Sequence, residues 1–249
     1  MIRISIVSYL NSRPFVYGLK KFNFSETVEI TEDIPSVCAD KLINGSADIG
    51  LVPVASLPMI PNYEIISDYC IGADGDVKSV LLLSEVPLDE IKTVLLDYQS
   101  RTSINLAKIL FSEHWKKSPE FIHASIGYEN TISGSIAGVV IGDRALELGS
   151  KFAYAYDLSA EWKKMTSLPF VFACWVSTKK LSEIFAQEFN TALLNGINNI
   201  DDISKHEKSI FMTSKEIKNY LINNIDYEFD ERKRKVVDVF LQYLKSKSY

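Results

Sequence analysis

Polar residues that could bind a small anion follow the first apolar segment of the sequence. Residues 4–7 lead into Tyr9-Leu10-Asn11, and a proline stands at position 14. A side-chain amide such as that of Asn11 offers a ligand both hydrogen-bond donors and an acceptor. The same amide could instead satisfy a local turn beside the proline, and the spacing alone favours neither role.

A pair of hydroxyls marks a second candidate. Arg101, Thr102 and Ser103 follow the apolar segment at residues 93–97 and stand at the start of a helical pattern. Free backbone N–H groups, the positive end of the helix dipole and two hydroxyls together suit a carboxylate or a phosphate. An ordinary N-cap formed by Thr102 or Ser103 explains the same residues, so both interpretations stay open.

Three further positions lie at the ends of apolar segments. Asp143 follows one such segment, Ser79 begins another, and the main chain of Val52 lies near the end of a third. Ligands of α/β proteins bind outside the carboxyl ends of parallel strands, which makes these positions candidates. Each also has a structural explanation, since Asp143 could cap the next helix and Ser79 could be a turn hydroxyl.

Several common catalytic arrangements are missing from the sequence. It has no nucleophile-elbow, P-loop or dinucleotide-binding motif, and no histidine, cysteine and carboxylate cluster with metal-ligand spacing. We expect a structural or solvent-exposed role for each of the histidines, which are His114, His123 and His206. The commonest general base is therefore not expected in the active site.

The composition is that of an ordinary globular protein. The chain has 249 residues and a net charge of −5, and its basic run at residues 230–235 is short, so no nucleic-acid surface is expected. Cys38, Cys70 and Cys174 lie among apolar neighbours, as buried free thiols do in a reducing compartment. No secretory signal and no apolar run of about 20 residues is present, which predicts a cytoplasmic protein without a membrane span.

Apolar segments without polar alternation indicate buried strands covered by helices on both faces. These segments are RISIV, ADIGLVPVA, SVLLLS, TVLLD, AGVVIGD and FVFACWV. Helical patterns lie between them; one ends near Asn44-Gly45, one begins with the capping box Thr213-x-x-Glu216 and one follows Asp230. The alternation predicts an α/β protein with mainly parallel sheets.

Two segments could carry the chain between lobes, residues 84–92 and 165–176. If both are crossovers, residues 89–171 form an inserted lobe and residues 1–88 plus 172–249 form the other lobe. A cleft would then separate the two lobes. A single doubly wound sheet is the alternative, and the pattern alone does not decide between them.

Seven segments in order along the chain resemble the chorismate dehydratases of menaquinone biosynthesis by the futalosine pathway. They are VSYLNSRPFVYGL, SADIGLVPVASL, KSVLLLS, RTSINLAKIL, VVIGDRAL, YDLSAEWKKMTSLPFVFACWV and YLINNIDYEFDERKRK. Together they extend over essentially the whole chain, although no single segment is diagnostic. Ser167 departs from the resemblance, because the family usually has a glycine before Leu-Pro-Phe.

The resemblance implies a periplasmic-binding-protein-like type II fold with two lobes, a double crossover and a central cleft. It implies a carbon–oxygen lyase that removes water from chorismate to give 3-[(1-carboxyvinyl)oxy]benzoate without a cofactor or metal. By the same resemblance, Asn11 would lie at the reacting edge and Thr102 with Ser103 would hold a carboxylate. Ser79 and the backbone near Val52 would help to seat the rest of the substrate. Asp143 is a further substrate-binding candidate from its position after an apolar segment.

Two other functions share the implied fold. One is a small-anion solute-binding protein, and the other is the sister enzyme 1,4-dihydroxy-6-naphthoate synthase, which relies on a cleft histidine. Neither His114 nor His123 has a matching sequence context. The expected partner is the small-molecule substrate alone, with no nucleic acid and no membrane, and the protein is expected to be a monomer or a homodimer.

Overall fold

The computed structural model describes residues 1–246. Its strands are β1 (Ile2–Val7), β2 (Val28–Asp33), β3 (Ile49–Pro53), β4 (Glu64–Ala73), β5 (Val80–Ser84), β6 (Thr93–Leu96), β7 (Glu120–His123), β8 (Ile136–Ile141), β9 (Tyr154–Asp157), β10 (Phe170–Ser177) and β11 (Asp226–Glu228). Its α-helices are α1 (Arg13–Lys21), α2 (Pro35–Ile43), α3 (Arg101–Ile109), α4 (Asp143–Leu148), α5 (Leu158–Thr166), α6 (Glu183–Asn198), α7 (Ile200–His206), α8 (Ser214–Asn223) and α9 (Glu231–Ser246). The six apolar segments predicted as strands correspond to β1, β3, β5, β6, β8 and β10, which confirms them.

The strands form two sheets. The first has the order β11-β4-β10-β3-β1-β2, and the second has the order β7-β6-β8-β5-β9. β1 runs parallel to β2 and β3, and β6 runs parallel to β7 and β8. In each sheet the parallel part ends in a partly exposed strand, β2 in the first sheet and β7 in the second.

The prediction of mainly parallel sheets was wrong. β10 runs antiparallel to β3 and β4, and β5 runs antiparallel to β8 and β9. Both strands are buried along their whole length. A buried strand has the same apolar sequence whichever way its neighbours run, so hydrophobic pattern does not report strand direction.

The sheets divide the chain at different residues from the predicted lobes. The first sheet uses strands up to Ala73 and from Phe170 onward, and the second uses Val80 to Asp157. The predicted boundary after residue 88 therefore lies beyond β5, which pairs with β8 and β9 in the second sheet. The first crossover is the segment 74–79, and residues 247–249, which the prediction assigned to the first lobe, lie outside the described residues.

Several predicted helix ends are confirmed. α2 ends at Ile43 with Asn44 as its C-cap, and Gly45 follows with a φ of 75°, in the left-handed region that favours glycine. Thr213 and Glu216 form the reciprocal capping box of α8. Asp230 Oδ1 accepts a hydrogen bond of 2.8 Å from Lys233 N, which caps the start of α9.

The start of α3 differs from the prediction. Its N-cap is Ser100, whose Oγ accepts a hydrogen bond of 3.1 Å from Ser103 N. Ser100 has the extended backbone that lets a cap side chain reach the third N–H of the helix. Thr102 and Ser103 therefore lie within the first turn, where their hydroxyls are free of the capping role.

The predicted character of the cysteines is confirmed: Cys38, Cys70 and Cys174 are buried free thiols. Within residues 1–246, no helix combines the length and the apolar character that crossing a membrane requires. The hydrophobic core is continuous from one sheet to the other, with Trp175 buried on β10 and Trp162 buried on α5. The two lobes therefore share packed side chains near the crossovers.

Candidate active site

A small cavity of about 50 Å³ lies between the two sheets. Its polar wall consists of Tyr9, Asn11, Ser79, Ser100 and Ser103. Its remaining wall is apolar apart from the backbone of Gly142 and comes from Val7, Pro35, Pro53, Ile71, Val77, Val80, Ile141, Phe172 and Ala173. Among the described residues, no lysine, arginine or histidine lines this cavity, so an anion bound in it would be held by neutral donors.

Asn11 lies in the 3₁₀ turn that follows β1 and lines the cavity, and its role in ligand binding stays a prediction. Its Oδ1 accepts a hydrogen bond of 3.1 Å from Ser12 Oγ. Its backbone carbonyl accepts a hydrogen bond of 2.9 Å from the Tyr227 hydroxyl. The Asn11 side chain also bonds to the Tyr220 hydroxyl, so its amide nitrogen is shared between that hydroxyl and the cavity.

The first turn of α3 supplies the hydroxyl chemistry. Ser100 Oγ donates a hydrogen bond of 2.9 Å to Ser103 Oγ and accepts one from Ser103 N. This arrangement leaves the Ser103 O–H free to donate into the cavity. The N–H groups of Arg101 and Thr102 have no intrahelical partner, and they add to the positive end of the helix dipole.

Thr102 has a different role from its neighbour. Its Oγ1 donates a hydrogen bond of 3.1 Å to Phe172 O and accepts one of 3.2 Å from Ala55 N. It does not line the cavity. Successive helical residues point about 100° apart, so Ser103 faces the cavity while Thr102 joins the second lobe to the backbone of the first.

Ser79 lies at the end of the first crossover and lines the cavity. Within residues 1–246, its buried Oγ has no hydrogen-bond partner of good geometry. The Tyr220 side chain of α8 lies beside both Ser79 and Asn11. Burial raises the pKa of Tyr220, and the proximity of Ser79 and Asn11 opposes that rise without outweighing it. An unpartnered buried hydroxyl is costly, which makes Ser79 a strong candidate for ligand binding.

Val52 and Asp143 do not line the cavity. Val52 is fully buried in β3, opposite Cys174 of β10, and the next residue, Pro53, reaches the cavity instead. Asp143 is the first residue of α4, and its Oδ1 accepts a hydrogen bond of 3.0 Å from Leu10 N. Burial raises the pKa of Asp143, against the opposing effects of that hydrogen bond and of Arg13.

The contact between Leu10 and Asp143 is one of several that join the lobes across the cleft. Ser36 N donates a hydrogen bond of 3.0 Å to Gln99 O, and the Tyr9 hydroxyl donates to Gln99 Oε1. The cavity is smaller than the roughly 300–1,000 Å³ of typical small-molecule sites. The lobes are therefore closed, and they must separate to admit a ligand of that size.

A buried ionic network fixes the loop that carries Gln99 and Ser100. Asp97 has a fully buried side chain and accepts hydrogen bonds from Arg144 Nη2 at 2.6 Å, the Tyr128 hydroxyl at 2.8 Å and Gln99 N at 2.7 Å. Burial raises the pKa of Asp97 in spite of the attraction of Arg144. Arg144 is also bonded to Glu129, so this cation is neutralised by the protein.

A larger groove of about 860 Å³ lies between α8 and the second lobe. It is open to solvent and mixes basic and acidic side chains, among them Lys78, Lys215 and Asp157. Asp157 accepts a hydrogen bond of 2.7 Å from Lys78 N, and burial raises its pKa to about 6. The smaller cavity is the better candidate for catalysis, because it lies between the lobes and brings together three of the predicted residues, Asn11, Ser79 and Ser103.

The three histidines stand apart from the cavity, as predicted. His114 Nε2 lies 3.2 Å from Glu161 Oε2, while His123 and His206 are exposed. No group of three or more His, Cys, Asp or Glu side chains in the described part of the chain is placed to hold a metal ion. The expectation of a reaction without a metal or cofactor stays a prediction.

Sequence reasoning missed Tyr9 and Ser100 as cavity residues. Both stand next to residues that it selected, since Tyr9 precedes Asn11 by two positions and Ser100 precedes the Arg101-Thr102-Ser103 group. Two sequence features could have identified them: Ser100 stands where a serine caps a helix, and Tyr9 is an aromatic residue just after a buried strand. Gly142 was also missed, and its φ of 63° was not foreseeable from the segment around it.

Comparisons with known proteins identify the family of the chain. Residues 2–246 match the menaquinone biosynthesis family. A curated chorismate dehydratase from Thermus thermophilus is 24% identical over an alignment of 263 residues, which covers 93% of this chain and 96% of that protein.

Solved structures show the fold. Protein AF1704 from Archaeoglobus fulgidus has a TM-score of 0.78 at 13% identity, covering 99% of this chain and 97% of that chain. The Candida albicans CA3427 gene product, described as having the generic periplasmic binding protein fold, has a TM-score of 0.62 at 11% identity, covering 99% and 95%. The predicted fold class is thereby confirmed. With a two-sheet architecture of this kind and a family match along nearly all of its length, the chain belongs to the menaquinone biosynthesis family.

Proposed function

We propose that the protein is a chorismate dehydratase, a hydro-lyase that converts chorismate to 3-[(1-carboxyvinyl)oxy]benzoate in the futalosine pathway. The observation that carries the proposal is the cavity between the two lobes that Asn11, Ser79 and Ser103 line together, with a largely apolar remaining wall. The relative from Thermus thermophilus supports the same activity. The expected cytoplasmic location and the expected monomer or homodimer stay predictions.

The elimination does not require a strong base from the protein. The C3 proton of chorismate is acidified through the conjugated ring carboxylate, and the C4 hydroxyl leaves with a proton as water. The ring becomes aromatic, which drives the elimination. The protein must hold two carboxylates, exclude water and align the C3–H and C4–OH bonds, and those tasks can supply most of the rate enhancement.

The cavity residues suit these tasks. The Ser103 hydroxyl and the start of α3 would hold one carboxylate, and the unpartnered Ser79 hydroxyl would donate to the substrate. The Asn11 amide nitrogen would bind the departing hydroxyl or orient the group that takes the proton. A neutral amide is a poor base, so the proton acceptor in this proposal is a water molecule or a substrate carboxylate.

The position of the histidines favours this reaction over that of the sister enzyme. The resemblance associates 1,4-dihydroxy-6-naphthoate synthase with a cleft histidine, and none of the three histidines lines the cavity. A pure solute-binding function predicts that chorismate binds and remains unchanged. A single assay of product formation therefore distinguishes the solute-binding function from the dehydratase function.

The test of the site is Asn11→Ala, with Asn130→Ala as the matched control on an exposed position of the second lobe. We expect turnover of chorismate to fall at least about 100-fold in the first variant, the scale of a lost catalytic group. Its affinity for the product should change less than about 10-fold, because Ser79, Ser103 and the apolar wall remain. Calorimetry gives the affinity and the rise of aromatic absorbance gives the rate. Near-normal turnover by Asn11→Ala would refute the role of this residue.

A further inference from the structure

The ring of Tyr9 is fixed against the backbone of the opposite lobe. A Cβ atom added to Gly142 would lie 2.9–3.0 Å from Cδ1, Cε2 and Cζ of Tyr9. Cδ1 and Cε2 stand on opposite sides of the ring, so Gly142 lies over the face of the ring and not at its edge. The φ of 63° at Gly142 also favours glycine at this position.

The hydroxyl of Tyr9 is anchored as well. It donates a hydrogen bond to Gln99 Oε1, and Gln99 Nε2 donates one of 2.7 Å to the Tyr98 hydroxyl. The backbone of Gln99 is held at both ends, because its N–H donates to Asp97 and its carbonyl accepts from Ser36. Tyr9 thus comes from the first lobe, while Gly142 and Gln99 of the second lobe set the plane of its ring.

The same ring lines the cavity. Gly142, Phe172 and Ile141 line the same cavity, and Gly142 covers one face of the ring. We propose that Tyr9 is a positioning and specificity residue, a rigid platform against which the flat ring of a cyclic dicarboxylate packs when the lobes close. This inference rests on the proposed function and names the part of the site that recognises the ring, while Ser79 and Ser103 recognise the charged groups.

The physical basis is shape. A conjugated six-membered ring is nearly flat and can lie against a tyrosine ring, with a gain beyond the buried area that corresponds to roughly 2–10-fold in affinity. A saturated ring is puckered and touches the same surface at fewer atoms, so it gains less dispersion energy. Removing the aromatic platform should therefore weaken binding of flat ligands more than binding of puckered ligands.

Two probes of equal charge separate these effects. Benzene-1,3-dicarboxylate is flat, and cis-cyclohexane-1,3-dicarboxylate carries the same two carboxylates on a puckered ring. Calorimetry with the wild-type protein should show tighter binding of the flat probe by roughly 10-fold. Tyr9→Leu should reduce that preference to about 2-fold or less. If Tyr9→Leu shows no cooperative unfolding and is therefore misfolded, Tyr9→Met replaces it in the same experiment, with the same expected result.

Tyr9→Phe separates the ring from its anchor. It keeps the aromatic face, so we expect the preference for the flat probe to persist, while the affinity for both probes falls by roughly 3-fold because the bond to Gln99 is lost. Tyr154→Leu, at an exposed tyrosine on β9, is the control and should bind both probes as the wild type does. An unchanged preference in Tyr9→Leu, or no preference in the wild type, would overturn the inference.

The probe experiment and the chorismate assay can fail separately, so a failure of the Tyr9 role is distinguishable from a failure of the proposed reaction. A Tyr9-dependent preference in a protein that leaves chorismate unchanged would support ring recognition and contradict the dehydratase function. If the wild-type protein turns over chorismate and the Tyr9→Leu variant keeps the preference for the flat probe, the results would support the function and reject this role of Tyr9.

Discussion

Removing Arg144 should destabilise the protein strongly, because it leaves a buried carboxylate without its cation. Asp97 is fully buried and lies 2.6 Å from Arg144 Nη2. Breaking a buried ion pair by removing one partner costs about 3–5 kcal/mol. We therefore expect Arg144→Met to lower the free energy of unfolding by about 3–5 kcal/mol at pH 7.

The pH dependence provides a second check. Burial already raises the pKa of Asp97 in the folded protein, and loss of Arg144 raises it further. A carboxyl whose folded pKa is raised contributes stability that is present below its unfolded pKa and is lost as the pH rises through the folded pKa. The deficit of Arg144→Met relative to the wild type should therefore shrink when the pH is lowered from 7 to 5.

Urea denaturation followed by tryptophan fluorescence measures both effects. The double variant Asp97→Asn/Arg144→Met removes the buried charge together with its partner, and its amide can still accept the hydrogen bond from Gln99 N. It should recover most of the stability lost in Arg144→Met. A deficit below about 1 kcal/mol in the single variant, or one that is the same at both pH values, would refute the reasoning.

Three other substitutions test separate parts of the structure. Ser167→Gly should raise the free energy of unfolding by about 0.5–1 kcal/mol in thermal or urea unfolding, because Ser167 has a φ of 61° at the end of α5; a loss of stability would contradict this. Asp157, whose pKa is raised to about 6, contributes stability that is present below pH 4 and lost as the pH rises through 6. Asp157→Asn should therefore remove up to about 3 kcal/mol of pH dependence from the unfolding free energy between pH 4 and 7, and an unchanged profile would count against it. Thr102→Val should cost about 2 kcal/mol of stability by leaving Ala55 N and Phe172 O unpaired, while product affinity measured by calorimetry changes less than about 3-fold; a large loss of affinity with normal stability would restore Thr102 as a ligand-binding residue.

The sequence predicted those parts of the site that depend on local pattern. Asn11 follows β1 and Ser103 lies in the first turn of α3, and both positions could be placed from the ends of apolar and helical segments. Thr102 was predicted with Ser103 because both carry a hydroxyl at the start of the helix. The rotation between successive helical residues separates their roles, and only the packing of the second lobe on Phe172 shows which one faces the cavity.

Features that depend on contacts between lobes could not be predicted. Tyr9 contacts Gly142 and Gln99, which are more than 85 residues distant in sequence. The predicted boundary after residue 88 leaves β5 in the first lobe, whereas β5 pairs with β8 of the second sheet. The apolar sequence of a buried strand does not show which of the two sheets it joins. β4 was overlooked, since its first half is only partly buried and its sequence, EIISDYCIGA, mixes polar and apolar residues.

The most direct test of the proposed function is to mix the purified protein with chorismate and follow the absorbance and mass of the products. We expect one molecule of 3-[(1-carboxyvinyl)oxy]benzoate for each chorismate consumed, with the rate at least about 100-fold lower in Asn11→Ala. Chorismate that is bound by the wild-type protein and recovered unchanged would contradict the dehydratase function.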